Sequence, residues 1–384
     1  MGIQHINPEK AMCDELTELK YLIALTMAPA IGPVTARNLI KKVGSAHDVF
    51  RQKRKALESI EGIGPQLSRF INESSLLGKA ERELKFMDRH HIKALHYKDP
   101  NFPKKLNECD DGPVLLYAIG ESGLHSKRSL SVVGTRRATS YGKDVCREII
   151  RDLARLIPDL AIVSGLAYGI DIIAHRAALE YGLPTVAVLG HGLSTIYPSP
   201  HRETAKKISR QGSLLTDFHS GMGPERNNFL RRNRIIAGLT KATLVVESAE
   251  KGGALITADI AFSYSRDVLS VPGRAIDERS RGCNNMIKSQ MATMVESAED
   301  IMRQLDWDCN NNTLPFPAQD IDFTIEEKKI LTSIAELPEI TPGELSKLLG
   351  IPLQNILAML VEMELKEWIS HEPGNRYRTR IALV

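Results

Sequence analysis

Excess charge of one sign is missing from this chain: 50 Lys and Arg against 47 Asp and Glu leave a net +3 at neutral pH. That balance excludes a protein coated in basic residues, so any polyanion site has to be local. Cysteine is sparse too. Cys13, Cys109, Cys146, Cys283 and Cys309 are odd in number and scattered, with no Cys-x-x-Cys pair and no nearby His at metal-ligand spacing. Reduced thiols and no metal site are expected. Long hydrophobic runs are absent as well; stretches such as Thr243 to Val246 fall far short of the roughly 20 residues that span a membrane. Met1 to Cys13 contains charges and no continuous apolar core, so no secretory signal is expected and a cytoplasmic location is.

What is present is ordinary globular material, 42% hydrophobic and 25% charged over 384 residues, enough for two or three domains at roughly 150 residues each. Residues 1–80 predict a small helical domain. It carries two similar turns, Ala30-Ile31-Gly32-Pro33 and Glu61-Gly62-Ile63-Gly64-Pro65, which resemble the helix-hairpin-helix motif. Such a turn opening a helix frees backbone N–H groups at the positive end of the helix dipole, where a phosphate oxygen can sit.

Over residues 81–305 the pattern changes to short β-branched runs, each followed by a glycine-bearing loop and a helix-period segment, which predicts an α/β core with a parallel sheet. Strands are expected at Leu130–Val133, Leu160–Val163, Thr185–Leu189, Ser213–Thr216, Thr243–Glu247 and Val268–Val271. Right-handed crossovers would collect the following loops along one sheet edge. Residues 306–323, with three asparagines and two prolines, predict a linker. Residues 324–384 predict three helices and a β-wing, resembling a winged helix. Seven Lys and Arg against nine Asp and Glu give that segment a net −2. Its third helix carries Glu362, Glu364 and Glu367 against Lys366, so protein contact is favoured there over major-groove reading, with Arg376, Arg378 and Arg380 of the wing leaving the DNA alternative open.

The chemistry gathers in the loops. Gly134-Thr135-Arg136 begins a turn into a helix that offers amides, hydroxyls and a guanidinium to an anion. It is neither the GxGxxG of a dinucleotide fold nor a Walker loop, and no cofactor is expected. Ser164-Gly165 follows the second strand, with Asp171 and His175 on the next helix as a possible acid–base pair or as a helix cap with its neighbour. The densest signal is Phe229-Leu230-Arg231-Arg232-Asn233-Arg234. On a helix, Arg231, Arg232 and Arg234 are expected to fan outward as phosphate forks beside Phe229, a platform for an unstacked base, while Ile235, Ile236 and Leu239 pack inward. Gly252-Gly253 frees further amides at a helix start.

Together, GTRRATSYG at 134–142, SGLAYGID at 164–171, the Gly190-His191-Gly192 loop with Tyr197-Pro198, and RNRIIAGL at 232–239 are similar to the DprA/Smf family of DNA-processing proteins. The resemblance implies an extended Rossmann-like core that binds single-stranded DNA without sequence specificity, protects it during natural transformation, and loads the recombinase RecA. It further implies a homodimer joined through the core, and a binding protein rather than an enzyme. By motif, Arg136, Ser164, Gly165, Phe229, Arg232, Asn233 and Arg234 would line the DNA pocket. Two departures are Leu230, where the pattern commonly has proline, and Gln290-Met291-Ala292, where it commonly has Gly-Ala after a stretch like the one at 282–287. The alternative is a nucleotide-monophosphate phosphoribohydrolase on a related Rossmann fold, with Glu247 or Asp171 as its carboxylate.

Overall fold

The computed structural model describes residues 8–71, 73, 75–307, 323–337, 340–366, 368–372 and 376–379. The chain divides into two compact units, Met1–Trp307 and Asp308–Val384. The expected linker falls almost wholly outside the described residues, as do Glu367, Gly374 and Arg380.

A nine-stranded sheet organises the first unit. In chain order the strands are β1 Lys93–His96, β2 Leu115–Ile119, β3 Ser129–Val133, β4 Ala161–Ser164, β5 Thr185–Val188, β6 Ser213–Thr216, β7 Ala242–Val245, β8 Asp267–Ser270 and β9 Thr293–Met294. They lie side by side as β1-β2-β6-β5-β4-β3-β7-β8-β9. Pairing is parallel from β6 through β9, whereas β2 is antiparallel to β6 and to β1. Two reversals restore the direction, so β1 runs with the parallel set and ends on the same edge. The six expected strands are present; β1, β2 and β9 were not anticipated. The last crossover is complete despite the Gln290-Met291-Ala292 departure, because β9 pairs parallel with β8.

Alternation along the strands builds two cores. Leu130 and Val132 face a layer containing Ile149, Ile150 and Leu153 of the helix Ser140–Leu156 and Ala174 and Ala177 of the helix Ile170–Glu180. Val133 and Val163 face the other way, onto Ile235 and Ile236 of the helix Arg226–Leu239 and Ala258 and Ala261 of the helix Gly253–Ser263. Small residues let that pair of helices sit close to the sheet. Each buried valine, leucine or isoleucine side chain contributes roughly 1.5–3 kcal/mol. Ser131 donates to the Ile236 carbonyl at 2.7 Å, so its inward hydroxyl is satisfied.

The N-terminal helices are not a separate body. Their core residues, including Leu22, Leu39, Ile63 and Leu76, pack in one cluster with Val114, Leu115 and Tyr117 of the sheet edge. In the second unit, helices Ile325–Glu336, Pro342–Leu349 and Leu353–Leu365 precede a hairpin of β10 Ile369–Glu372 and β11 Arg376–Thr379. Capping boxes at Thr324/Glu327 and Thr341/Glu344 start the first two helices. Ile330, Ile334, Leu345, Ile356, Leu360 and Tyr377 form the core.

Candidate nucleic-acid interface

The ends of the parallel strands shape a cleft of about 970 Å³. Gly134, Thr135 and Arg136 after β3 form one wall; Phe229, Arg232 and Asn233 form another, and Gly252 and Gly253 a third. The third wall is the start of a helix whose N-cap, Gly252, supplies no side-chain cap. Its first amides and its dipole therefore favour an anion.

Phe229 is the centre of the arrangement. The guanidinium carbons of Arg136 and Arg232 lie 5.8 and 5.9 Å from its ring centroid, and Tyr197 is tilted against it at 5.7 Å. Both cations are within the range at which a ring quadrupole attracts them. Arg136 is exposed; Arg232 is not.

The expectation that Arg231, Arg232 and Arg234 all fan outward is corrected here. Arg232 is 3% exposed. Its Nη1 donates to the Gly165 carbonyl at 2.7 Å and also to that of Val188. Burial pushes its pKa down to about 10, with the Asp171 charge opposing and the Arg136 charge adding to the shift. Arg234 is buried in an ion pair with Asp217 and donates to the Asp111 carbonyl at 2.7 Å. Arg231 is exposed but leans over the Phe218 ring at 5.2 Å, away from the cleft. The helix packs against the sheet, the helix Gly253–Ser263 and the helix Lys104–Asn107, and of the three arginines Arg231 is the one left facing solvent. Only Arg232 of the three reaches the cleft, and it does so from below.

Four other residues play supporting parts. Ser164, expected to line the pocket, is fully buried and donates to the Val132 carbonyl at 2.6 Å. Gly165 lies beneath Arg232: a Cβ there would stand 2.5 Å from its guanidinium. Gly190 plays the same part for Phe229, at 2.6 Å. The glycines after β4 and β5 thus make room for the arginine and the ring. Asn233 accepts from Arg232 Nε at 3.3 Å and donates to the Gly253 carbonyl at 3.5 Å, tying two walls together.

The possible acid–base pair does not assemble. His175 is fully buried, its Nδ1 is 2.7 Å from Thr185 Oγ1, and burial pushes its pKa down to about 3. Asp171 does border the cleft, with burial raising its pKa. Glu247 sits behind the Gly134–Arg136 turn, 3% exposed, accepting from Thr139 N at 2.9 Å. Among the described residues no group of His, Cys, Asp or Glu could hold a metal.

Tyr197, Arg226 and Lys251 also line the cleft and were not anticipated as site residues. Arg226 occupies the first turn of the Phe229 helix, because that helix begins at Arg226, ahead of the Phe229-Leu230 departure. Four lining cations, Arg136, Arg226, Arg232 and Lys251, face three carboxylates, Asp171, Glu250 and Asp259.

Residues 93–306 match the family described as DNA recombination-mediator protein A, and residues 22–71 match the SAM-like helix-hairpin-helix tandem. The chain is similar to protein Smf of Synechocystis, 30% identical over 95% of this chain and 99% of the relative. It is also similar to protein Smf of Escherichia coli, 37% identical over 73% and 76%. Among solved structures, DNA processing protein A from Streptococcus pneumoniae superposes with a TM-score of 0.64 at 28% identity, covering 74% of this chain and 97% of that one. The corresponding protein from Helicobacter pylori gives 0.51 at 28%, covering 56% and 96%. A glycine-framed cleft on an extended Rossmann-like sheet, a helix-hairpin-helix segment ahead of it and these relatives agree: the chain belongs to the DprA/Smf family of DNA-processing proteins.

Proposed function

We propose that this protein binds single-stranded DNA without sequence preference, protects it, and hands it to the recombinase RecA during natural transformation, acting by binding rather than by turnover and as a homodimer joined through the core. The observation that carries this reading is the placement of the Phe229 ring 5.8 and 5.9 Å from the Arg136 and Arg232 guanidiniums, beside an uncapped helix start. A ring for an unpaired base, an exposed cation and free amides for phosphates together suit a single strand, and none of them reads base identity. The Helicobacter pylori relative is described for its mode of binding single-stranded DNA, which supports the same reading. The buried position of Glu247 behind the loop gives the phosphoribohydrolase alternative no carboxylate in the cleft at that residue.

Arg136 is the residue to test, because it is exposed and its removal leaves no buried partner. Arg136→Ala should lower the slope of log K against log salt by about 0.7 and cost on the order of 1 kcal/mol in oligo-dT binding, read by fluorescence anisotropy. An unchanged slope would remove Arg136 from the interface.

A further inference from the structure

We propose that the bound strand continues along the same sheet edge into a second phosphate-binding cleft beside β1, formed by Arg37, Tyr97, Lys98 and Lys104; this rests on the single-strand reading above. The second cleft has a volume of about 600 Å³. It opens at the end of β1, which runs in the direction of the parallel strands. Five interstrand steps separate β1 from β3, whose loop carries Arg136, roughly 24 Å at about 4.8 Å each, a distance an extended strand leaving the first cleft can span.

Two of the three cations of this cleft are held over a ring. Arg37 Cζ stands 5.0 Å and Lys98 Nζ 5.8 Å from the Tyr97 ring centroid. Among the described residues Arg37 makes only long hydrogen bonds, 3.4 Å each, to the Asn107 and Pro113 carbonyls, and its Nε is buried with no partner there. Its terminal nitrogens, bound only at the limit of hydrogen-bond distance, are the ones an oxyanion would engage. Lys98 Nζ reaches the Gly44 carbonyl at 3.4 Å, at the close of the helix Pro33–Val43, and Lys104 is exposed. The two carboxylates of the cleft are already engaged: Asp99 accepts from His96 N at 2.8 Å, and Glu108 pairs with Arg266 at 2.7 Å. Arg37, Lys98 and Lys104 outnumber these two carboxylates, so positive charge is in excess for an incoming phosphate.

The path between the clefts is marked as well. Arg231, turned away from the first cleft, borders a small cavity with Gly32, Pro33 and Ala36, and Ala36 adjoins Arg37 in the sequence. Arg231, the exposed arginine of the 231–234 run, thus shares a cavity with the residue next to Arg37. This gives Arg231 a place on the track that the first cleft does not supply.

The test uses the full chain and fluorescently labelled oligo-dT of two lengths, about 6 and about 20 nucleotides, bracketing the site sizes usual for single-strand grooves. Lys98→Glu with Lys104→Glu should weaken the longer strand on the order of tenfold, and lower its salt slope by about 1.4, two cations at about 0.7 each. The short strand, satisfied by the first cleft, should bind as before. Lys98→Gln with Lys104→Gln should give the same slope change should the charge reversal perturb folding, which thermal melting checks. Equal behaviour of wild type and both variants on the long strand overturns the second cleft while leaving the first intact. Failure of the unaltered protein to bind either length overturns the single-strand reading itself.

Discussion

Arg136 and Arg232 look interchangeable as residue types, yet burial assigns them opposite roles. The first sits in solvent over Phe229; the second is locked to two backbone carbonyls next to Asp171. Removing a buried charge strands its partners, which costs more than the interaction itself contributed. Arg232→Ala should therefore destabilise the protein by about 3 kcal/mol in urea unfolding, while Arg136→Ala should leave the midpoint unchanged. A DNA-binding defect in Arg232→Ala without a stability loss would contradict the buried hydrogen bonds. Arginine density in the RNR run was visible in the sequence; which arginine faces water was not. Side-chain direction on that helix is set by what packs against each flank, and both flanks are covered by segments far away in the chain.

At the scale of elements, the alternation of β-branched runs and helix-period segments identified the parallel strands, because strands covered on both faces read as short apolar runs. β1 and β2 escaped that pattern. They precede the first strand–loop–helix unit, and β2 owes its place to pairing Tyr117 with Thr216, a contact that no local signal announces. The glycine loops after β4 and β5 were legible as places of close backbone approach. Their partners, the Arg232 guanidinium and the Phe229 ring, come from a helix 40 to 70 residues onward. Gly190→Ala should push Phe229 aside and weaken single-strand binding by about 1–3 kcal/mol, the usual worth of one stacked base, with anisotropy titrations matching those of Phe229→Ala. Gly190→Ala binding like wild type would mean that the ring position is not what holds the base.

For the whole molecule, every residue of the two clefts lies within Met1–Trp307, which is compact by itself. A chain ending at Trp307 should accordingly bind oligo-dT within about twofold of the full protein, a difference of roughly 0.4 kcal/mol. A large loss of affinity would transfer part of the interface to the second unit. In that unit Lys366 is held by Glu327 at 3.3 Å and Glu362 at 2.8 Å, which leaves its third helix without a cation to offer DNA phosphates. Leu353, Leu357 and Val361 are exposed on the same helix, in keeping with a protein contact.

Local pattern alone was enough to read the class of architecture, the order of the parallel strands along the chain, the family, and the stretches from which a phosphate site would be drawn. Periodicity, turn chemistry and amide-freeing glycines are local properties, readable within a dozen residues. Long-range packing was needed to bury Arg232 and Arg234, to turn Ser164 into the sheet interior, and to join the N-terminal helices to the sheet edge in one core. It also brought β1 back into the direction of the parallel strands and so placed Lys98 on the same rim as Arg136. Those outcomes depend on which surfaces exclude water from one another, and that is settled by long-range packing rather than by any neighbour in the chain.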